Sequence, residues 1–179
     1  NLDYSKKAFM HLNKVQYLKK SHDNFNIQFL RTLVLLGKFD QAFAFSKNML
    51  FESRSFLESD LLSGLDSIIN NNYQNAEKHF SRLSKDSKYY FMFEDFLSYA
   101  LLSWSKASQN NIEDSFHYYD KISRSYGSLK KIQYGLLQCY FDKPETQAAF
   151  ENLTNDNEKP FSRYNFFLAN YLLHKDRND

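Results

Sequence analysis

Four times in this sequence an apolar residue is followed at +3 by a small one, at +7 usually by an aromatic one, and at +10 by another apolar one. The four series are Leu2-Ser5-Phe9-Leu12, Phe39-Ala42-Ser46-Met49, Tyr73-Ala76-Phe80-Leu83 and Ile112-Ser115-Tyr119-Ile122. Their first residues lie 37, 34 and 39 positions apart. Positions 0, +3, +7 and +10 share one face of an α-helix. A small side chain at +3 lets the preceding helix cross closely, and the aromatic at +7 fills the space beside that crossing. One helix pair cannot cover its own apolar face, so neighbouring pairs must stack. The recurrence therefore asks for alternating helices, A before each turn and B after it.

The punctuation agrees. Helical runs are separated by short polar breaks such as Gly37-Lys38, Asn70-Asn71-Asn72 and Gln109-Asn110-Asn111, whose Asn and Gly tolerate the left-handed conformation that ends helices. Ser55-Phe56-Leu57-Glu58 fits a capping box, and Pro144 and Pro160 fit first helical turns, where a missing N–H costs nothing. With only 4 Gly and 2 Pro, collagen-like and linker-like chains are ruled out and a turn-dense β sandwich is disfavoured. An apolar content of 42% is too high for a disordered chain. The expected fold is all-α, with about ten helices in a single domain over 1–179. A half-repeat at 1–20 precedes repeats at 24–51, 55–84, 87–124 and 128–153, and a second half-repeat occupies 160–179.

This pattern resembles the tetratricopeptide repeat (TPR) family. Gly64 stands at the family's small helix-A position, ahead of Tyr73, Ala76 and Phe80, which is the best-matching unit. A fourth unit around Gly135, Phe150 and Leu153 is degenerate, with Thr146 where a small Ala is usual. The family's Pro near the end of helix B is absent; Arg54, Lys88 and Gly127 stand in its place. The resemblance implies a right-handed α-solenoid of antiparallel helix pairs, a TPR-like superhelix, whose A helices line a concave groove for a protein or peptide. Carried over residue by residue, the groove-facing candidates are Asn24, Arg31, Glu58, Leu62, Leu65, Trp104 and Lys131. The family's Lys/Asn/Arg clamp for a terminal carboxylate is not reproduced. Glu58, Asp60, Asp66, Glu94 and Asp95 instead suggest an acidic middle groove that prefers a basic or neutral partner.

Nothing in the sequence asks for catalysis. No His-x-x-x-His or Cys-x-x-Cys spacing puts two ligands on one helical face, so no metal site is expected. Glu113 and His117 read as a surface i,i+4 pair, and Cys139 as a small core residue rather than a nucleophile. Four scattered glycines cannot build a phosphate loop, and no cofactor is expected. The most unusual stretch is the aromatic run at 89–96, read as a buried core helix or, alternatively, as a binding platform on the groove.

Net charge is +2, distributed as +5 over 1–50, −5 over 51–120 and +2 over 121–179. A nucleic-acid binder would carry a stronger basic footprint, so none is expected as a partner. No apolar run approaches the ~20 residues of a membrane span. The expected function is a non-enzymatic scaffold that recruits a protein or peptide through the groove or through exposed end helices, which could also pair into a homo-oligomer. The alternative is a regulatory or substrate-recognition region of a larger enzyme or assembly machine. The Asn, Lys, Phe, Tyr and Ile content resembles low-GC bacterial coding; compartment is open, leaning to the periplasm with the cytoplasm still in play.

Overall fold

The computed structural model describes residues 2–51, 56–83, 94–154 and 163–175. Among these residues the secondary structure is helical and contains no strand. The ten α-helices are α1 (Leu2–Lys14), α2 (Asp23–Leu35), α3 (Phe39–Phe51), α4 (Leu57–Ile69), α5 (Tyr73–Leu83), α6 (Glu94–Ser108), α7 (Ile112–Lys121), α8 (Gly127–Tyr140), α9 (Thr146–Thr154) and α10 (Arg163–His174). Short 3-10 turns at Gln16–Lys20 and Arg124–Tyr126 precede α2 and α8. The chain divides into two compact units, Asn1–Met92 and Phe93–Asp179.

Four turns, after α2, α4, α6 and α8, are built the same way. Gly37, Asn71, Asn110 and Asp142 have φ of 68°, 57°, 56° and 51°, the left-handed region that Gly, Asn and Asp reach most cheaply. In each turn the next N–H donates back across the helix end: Lys38 to Leu33 O (2.9 Å), Asn72 to Ser67 O (2.8 Å), Asn111 to Lys106 O (3.0 Å) and Lys143 to Gln138 O (2.9 Å). The left-handed residue itself donates to Val34, Ile68, Ala107 or Cys139 O. These are the paired bonds of a Schellman ending, which satisfy carbonyls the helix leaves unpaired.

Each turn delivers the following helix with its repeated face inward. The +3 residues Ala42, Ala76 and Ser115, and Thr146 at the corresponding place in the degenerate fourth unit, are fully buried, as are Ser46, Phe80 and Phe150 at +7. Met49, Leu83 and Ile122 at +10 are buried as well. The first residue of the series is different: Phe39 and Ile112 are exposed and Tyr73 half-buried.

In the first unit α1 packs on α2, α2 on α3, α3 on α4 and α4 on α5, and α2 also touches α4. Its core gathers Phe25, Ile27, Phe29, Leu30, Leu33, Ala42, Met49, Phe56 and Leu62. Phe29 stacks between Phe9 and Phe25, with centroids 6.0 and 5.7 Å away. In the second unit α6 packs on α7 and α8, α7 on α8, α8 on α9, and α9 on α10; Leu137 and Phe150 are fully buried there.

Two expected helix starts are corrected. Helix α4 begins after Phe56, whose N–H donates to Ser59 Oγ at 3.0 Å; Ser59, not Glu58, supplies the returning cap, and Ser55 lies outside the described residues. Pro144 sits in the turn before α9 rather than in its first helical turn, because the Asp142 bend leaves three residues between the left-handed position and Thr146. Pro160 and residues 89–93 of the aromatic run lie outside the described residues.

Candidate functional site

The second unit brings aromatic side chains from its A helices to one cleft. Leu136, Cys139 and Tyr140 of α8 face Phe167, Asn170, Tyr171 and His174 of α10 across an opening of about 470 Å³, floored by Phe150 of α9. The ion pair between Lys175 Nζ and Asp142 Oδ2 closes one end, with the Tyr171 hydroxyl donating to Asp142 Oδ1 at 3.4 Å. Lys175 holds the Asp142 carboxyl below its ordinary range through that hydrogen bond, partly opposed by desolvation. Burial, and secondarily the Asp142 charge, pushes the Cys139 thiol up, so it is no activated nucleophile.

Trp104 of α6 stands beside this cleft. Its indole meets Tyr140 edge-on at 5.6 Å between centroids, and its N–H donates to Gln133 Oε1 of α8 at 2.7 Å. A half-buried Trp whose N–H is satisfied and whose ring braces an exposed Tyr is a preorganised aromatic surface of the kind that anchors partners.

Lys131 lies elsewhere. It lines a second cleft, about 440 Å³, with Tyr119, Tyr134, Glu145, Ala148, Ala149 and Asn152. Burial, then the neighbouring Asp120 charge, raises the Tyr119 phenol above its ordinary value.

In the first unit the candidates divide. Arg31 of α2 and Glu58 of α4 are brought together as an ion pair, Arg31 Nε donating to Glu58 Oε1 at 2.8 Å. Asn24 is exposed at the start of α2, Leu65 is half-buried in α4, and Leu62 is buried in the core.

The acidic groove is corrected, because its described carboxylates in α4 are already paired. Glu58 serves Arg31, and Asp66 lies 2.6 Å from Lys47 Nζ. Asp60 is only 2% exposed; its Oδ1 lies 2.8 Å from His79 Nδ1 and accepts from Arg82 Nε at 3.0 Å. A carboxylate buried on a cation and an imidazole from the next helix ties α4 to α5 and offers little to a partner. Asp95 is exposed.

Sequence reasoning missed Tyr140. A signal was present: the last residue of the A helix is an exposed apolar side chain at Leu35, Ile69 and Tyr140, each five positions after Leu30, Gly64 or Gly135. Among the described residues no group of His, Cys, Asp and Glu is arranged to hold a metal ion, and no helix is long and apolar enough to cross a membrane. Compared with protein-family models, curated proteins and solved structures, the chain gives no significant match.

Proposed function

We propose that this chain is a non-enzymatic interaction module, a TPR-like array of helix pairs that holds a peptide or helix of a protein partner against its A helices. The observation that carries this reading is the aromatic cleft between α8 and α10, backed by Trp104 against Tyr140. The solenoid arrangement is supported by the four matching turns and by the A-helix contacts α2 with α4 and α6 with α8. Because Leu136, Tyr140, Phe150, Phe167 and Tyr171 line the cleft, recognition there is mainly apolar and aromatic. The partner segment is one that presents an aliphatic or aromatic side chain to Tyr140, Phe167 and Tyr171.

Selection from a displayed random-peptide library on the chain tests the reading. Apolar-anchored binders that lose about tenfold or more on Tyr140→Ala support it, since hot-spot aromatics cost upward of ~1.4 kcal/mol when truncated. Binders indifferent to both Tyr140→Ala and Phe167→Ala would contradict it.

A further inference from the structure

The second cleft, enclosed by α7, α8 and α9, is built by an exception to the repeat. Six places after the first residue of the series, α3 carries Phe45, α5 His79 and α7 Tyr118. Phe45 packs on Phe29 and His79 reaches Asp60, each on its own A helix. Counted from Lys143, the same place in α9 is Ala149, and the place before it is Ala148. Two methyl groups stop short of α8 and leave an opening of about 440 Å³. Its far wall is Tyr119 and Tyr134, with ring centroids 5.7 Å apart.

Two adjacent lysines are used differently here. Lys130 Nζ lies 5.0 Å from the centre of the Tyr119 ring and donates to Asp120 O at 3.1 Å and to Ile122 O. Its charge is taken up in closing the end of α7. Lys131 is exposed and lines the cleft, as does Glu145 from the start of α9. Among the described residues neither of these side chains has an ion-pair or hydrogen-bond partner, and the Tyr119 and Tyr134 hydroxyls and the Asn152 amide have none either. At the α8–α10 cleft, by contrast, Asp142, Tyr171 and Lys175 satisfy one another.

The two charges stand at opposite ends. Glu145 O accepts from Ala149 N–H in helical fashion, so Asn152, seven residues on, lies about 10 Å away along the α9 axis. Gly135 packs beside Phe150 and Leu153, which puts Lys131, a turn earlier on α8, toward the Asn152 end. Side chains two apart on an extended backbone point the same way about 7 Å apart, and flexible charged arms span the remainder. We infer that this cleft binds an extended segment of a partner protein in which an acidic and a basic residue flank one intervening position, the carboxylate on Lys131 and the cation on Glu145. The Tyr119 and Tyr134 hydroxyls and the Asn152 amide then serve the segment's backbone. An all-acidic segment meets Glu145 and an all-basic one meets Lys131, and such like-charge juxtapositions are rejected. The site shares no lining residue with the cleft at Tyr140, so either can hold a partner without the other.

Amide-shift titration of the 179-residue chain by NMR tests this, with the end-capped peptides Ala-Glu-Thr-Lys-Ala, Ala-Glu-Thr-Glu-Ala and Ala-Lys-Thr-Lys-Ala as probes. The mixed-charge peptide is expected to bind at least about fivefold more tightly than either like-charged one, with shifts centred on the facing residues of α8 and α9. Lys131→Glu should move the preference to the all-basic peptide, and Glu145→Lys should move it to the all-acidic one. Ala148 is exposed, so Ala148→Leu fills the opening without touching the core; it should abolish binding of all three while the amide spectrum stays that of the folded chain. Tyr140→Ala should leave the preference unchanged, which separates failure at the aromatic cleft from failure here. No binding of the mixed peptide, equal affinity for the three, a preference unmoved by Lys131→Glu and Glu145→Lys, or binding that survives Ala148→Leu would each overturn the inference.

Discussion

A methyl group built on Gly64 would lie 2.8 Å or less from three ring carbons of Phe80. The α4–α5 crossing has no room for a side chain there, and the fully buried Phe80 ring occupies the space a Cβ would need. At Gly135 the same methyl would find Leu153 Cδ1 at 3.4 Å and Phe150 Cε1 at 3.5 Å, which is ordinary packing distance. Two glycines at one register thus have opposite steric situations.

Gly64→Ala is therefore expected to destabilise the fold. Overpacking costs about 1–3 kcal/mol, against a helix-propensity gain of about 1 kcal/mol for replacing Gly by Ala. Gly135→Ala keeps the gain without the clash and should leave stability unchanged or raise it by up to ~1 kcal/mol. Urea denaturation midpoints of the two variants check the contrast. Adding Phe80→Leu to Gly64→Ala should cost less than the sum of the two single changes, since the smaller side chain relieves the clash.

The ion pairs of α4 should differ in worth. Arg31 is 54% exposed although Glu58 is only 17% exposed, so water screens the pair from the Arg31 side. Glu58→Gln is expected to cost under about 1 kcal/mol. Asp60→Asn removes a buried charge that accepts from Arg82 and lies beside His79 Nδ1, and about 1–3 kcal/mol is expected, moderated because Arg82 is itself 42% exposed. Equal costs for the two variants in equilibrium unfolding would show that burial of Asp60 does not matter.

Asp142 ties α10 to the α8–α9 turn. Lys175 lowers the Asp142 pKa in the folded chain, so its contribution is present above the unfolded carboxylate pKa and is lost as pH falls through the lowered folded value. Amide-exchange protection in α10 should therefore fall on acidification through that window. Asp142→Asn keeps a residue that tolerates φ of 51° but removes the charge. Its α10 protection should be lower at neutral pH and should lack that acid-dependent loss.

Among the described residues three buried hydroxyls, Ser46 Oγ, Ser63 Oγ and Ser105 Oγ, have no hydrogen-bond partner. Ser46 occupies the +7 site filled by Phe80 in the next repeat, and the A-helix residue at the Gly64 register is there the bulky Leu30. Ser46→Ala removes an unpaired buried polar group and should be neutral or stabilising. Leu30→Ala should cost about 2–5 kcal/mol. Thermal unfolding of both variants checks the pair.

Much of the fold is legible because it depends on local chemistry. Left-handed Gly and Asn mark three turns, and the +3, +7 and +10 residues foretell which side of each B helix is buried. The Gly64 crossing follows from the same register. What escaped depends on which side chains meet across helices. Glu58 reads as a groove acid until Arg31, 27 residues earlier, is placed beside it, and Asp60 reads so until α5 sets His79 and Arg82 against it. Pro144 was misplaced because the turn before α9 is longer than the other three. Tyr140 was overlooked because exposure at a helix end has no periodic signature within one helix; it emerges only when the repeats are laid in register.

The chain has a single tryptophan, and it braces Tyr140, so its emission reports on the proposed site without labelling. Titrating a library-selected peptide while following Trp104 fluorescence is the most direct test of the proposed binding surface. A saturable change in emission, with the affinity found by calorimetry and lost in Tyr140→Ala, is the result predicted. Binding by calorimetry that leaves the Trp104 emission unchanged would place the partner elsewhere and contradict the account.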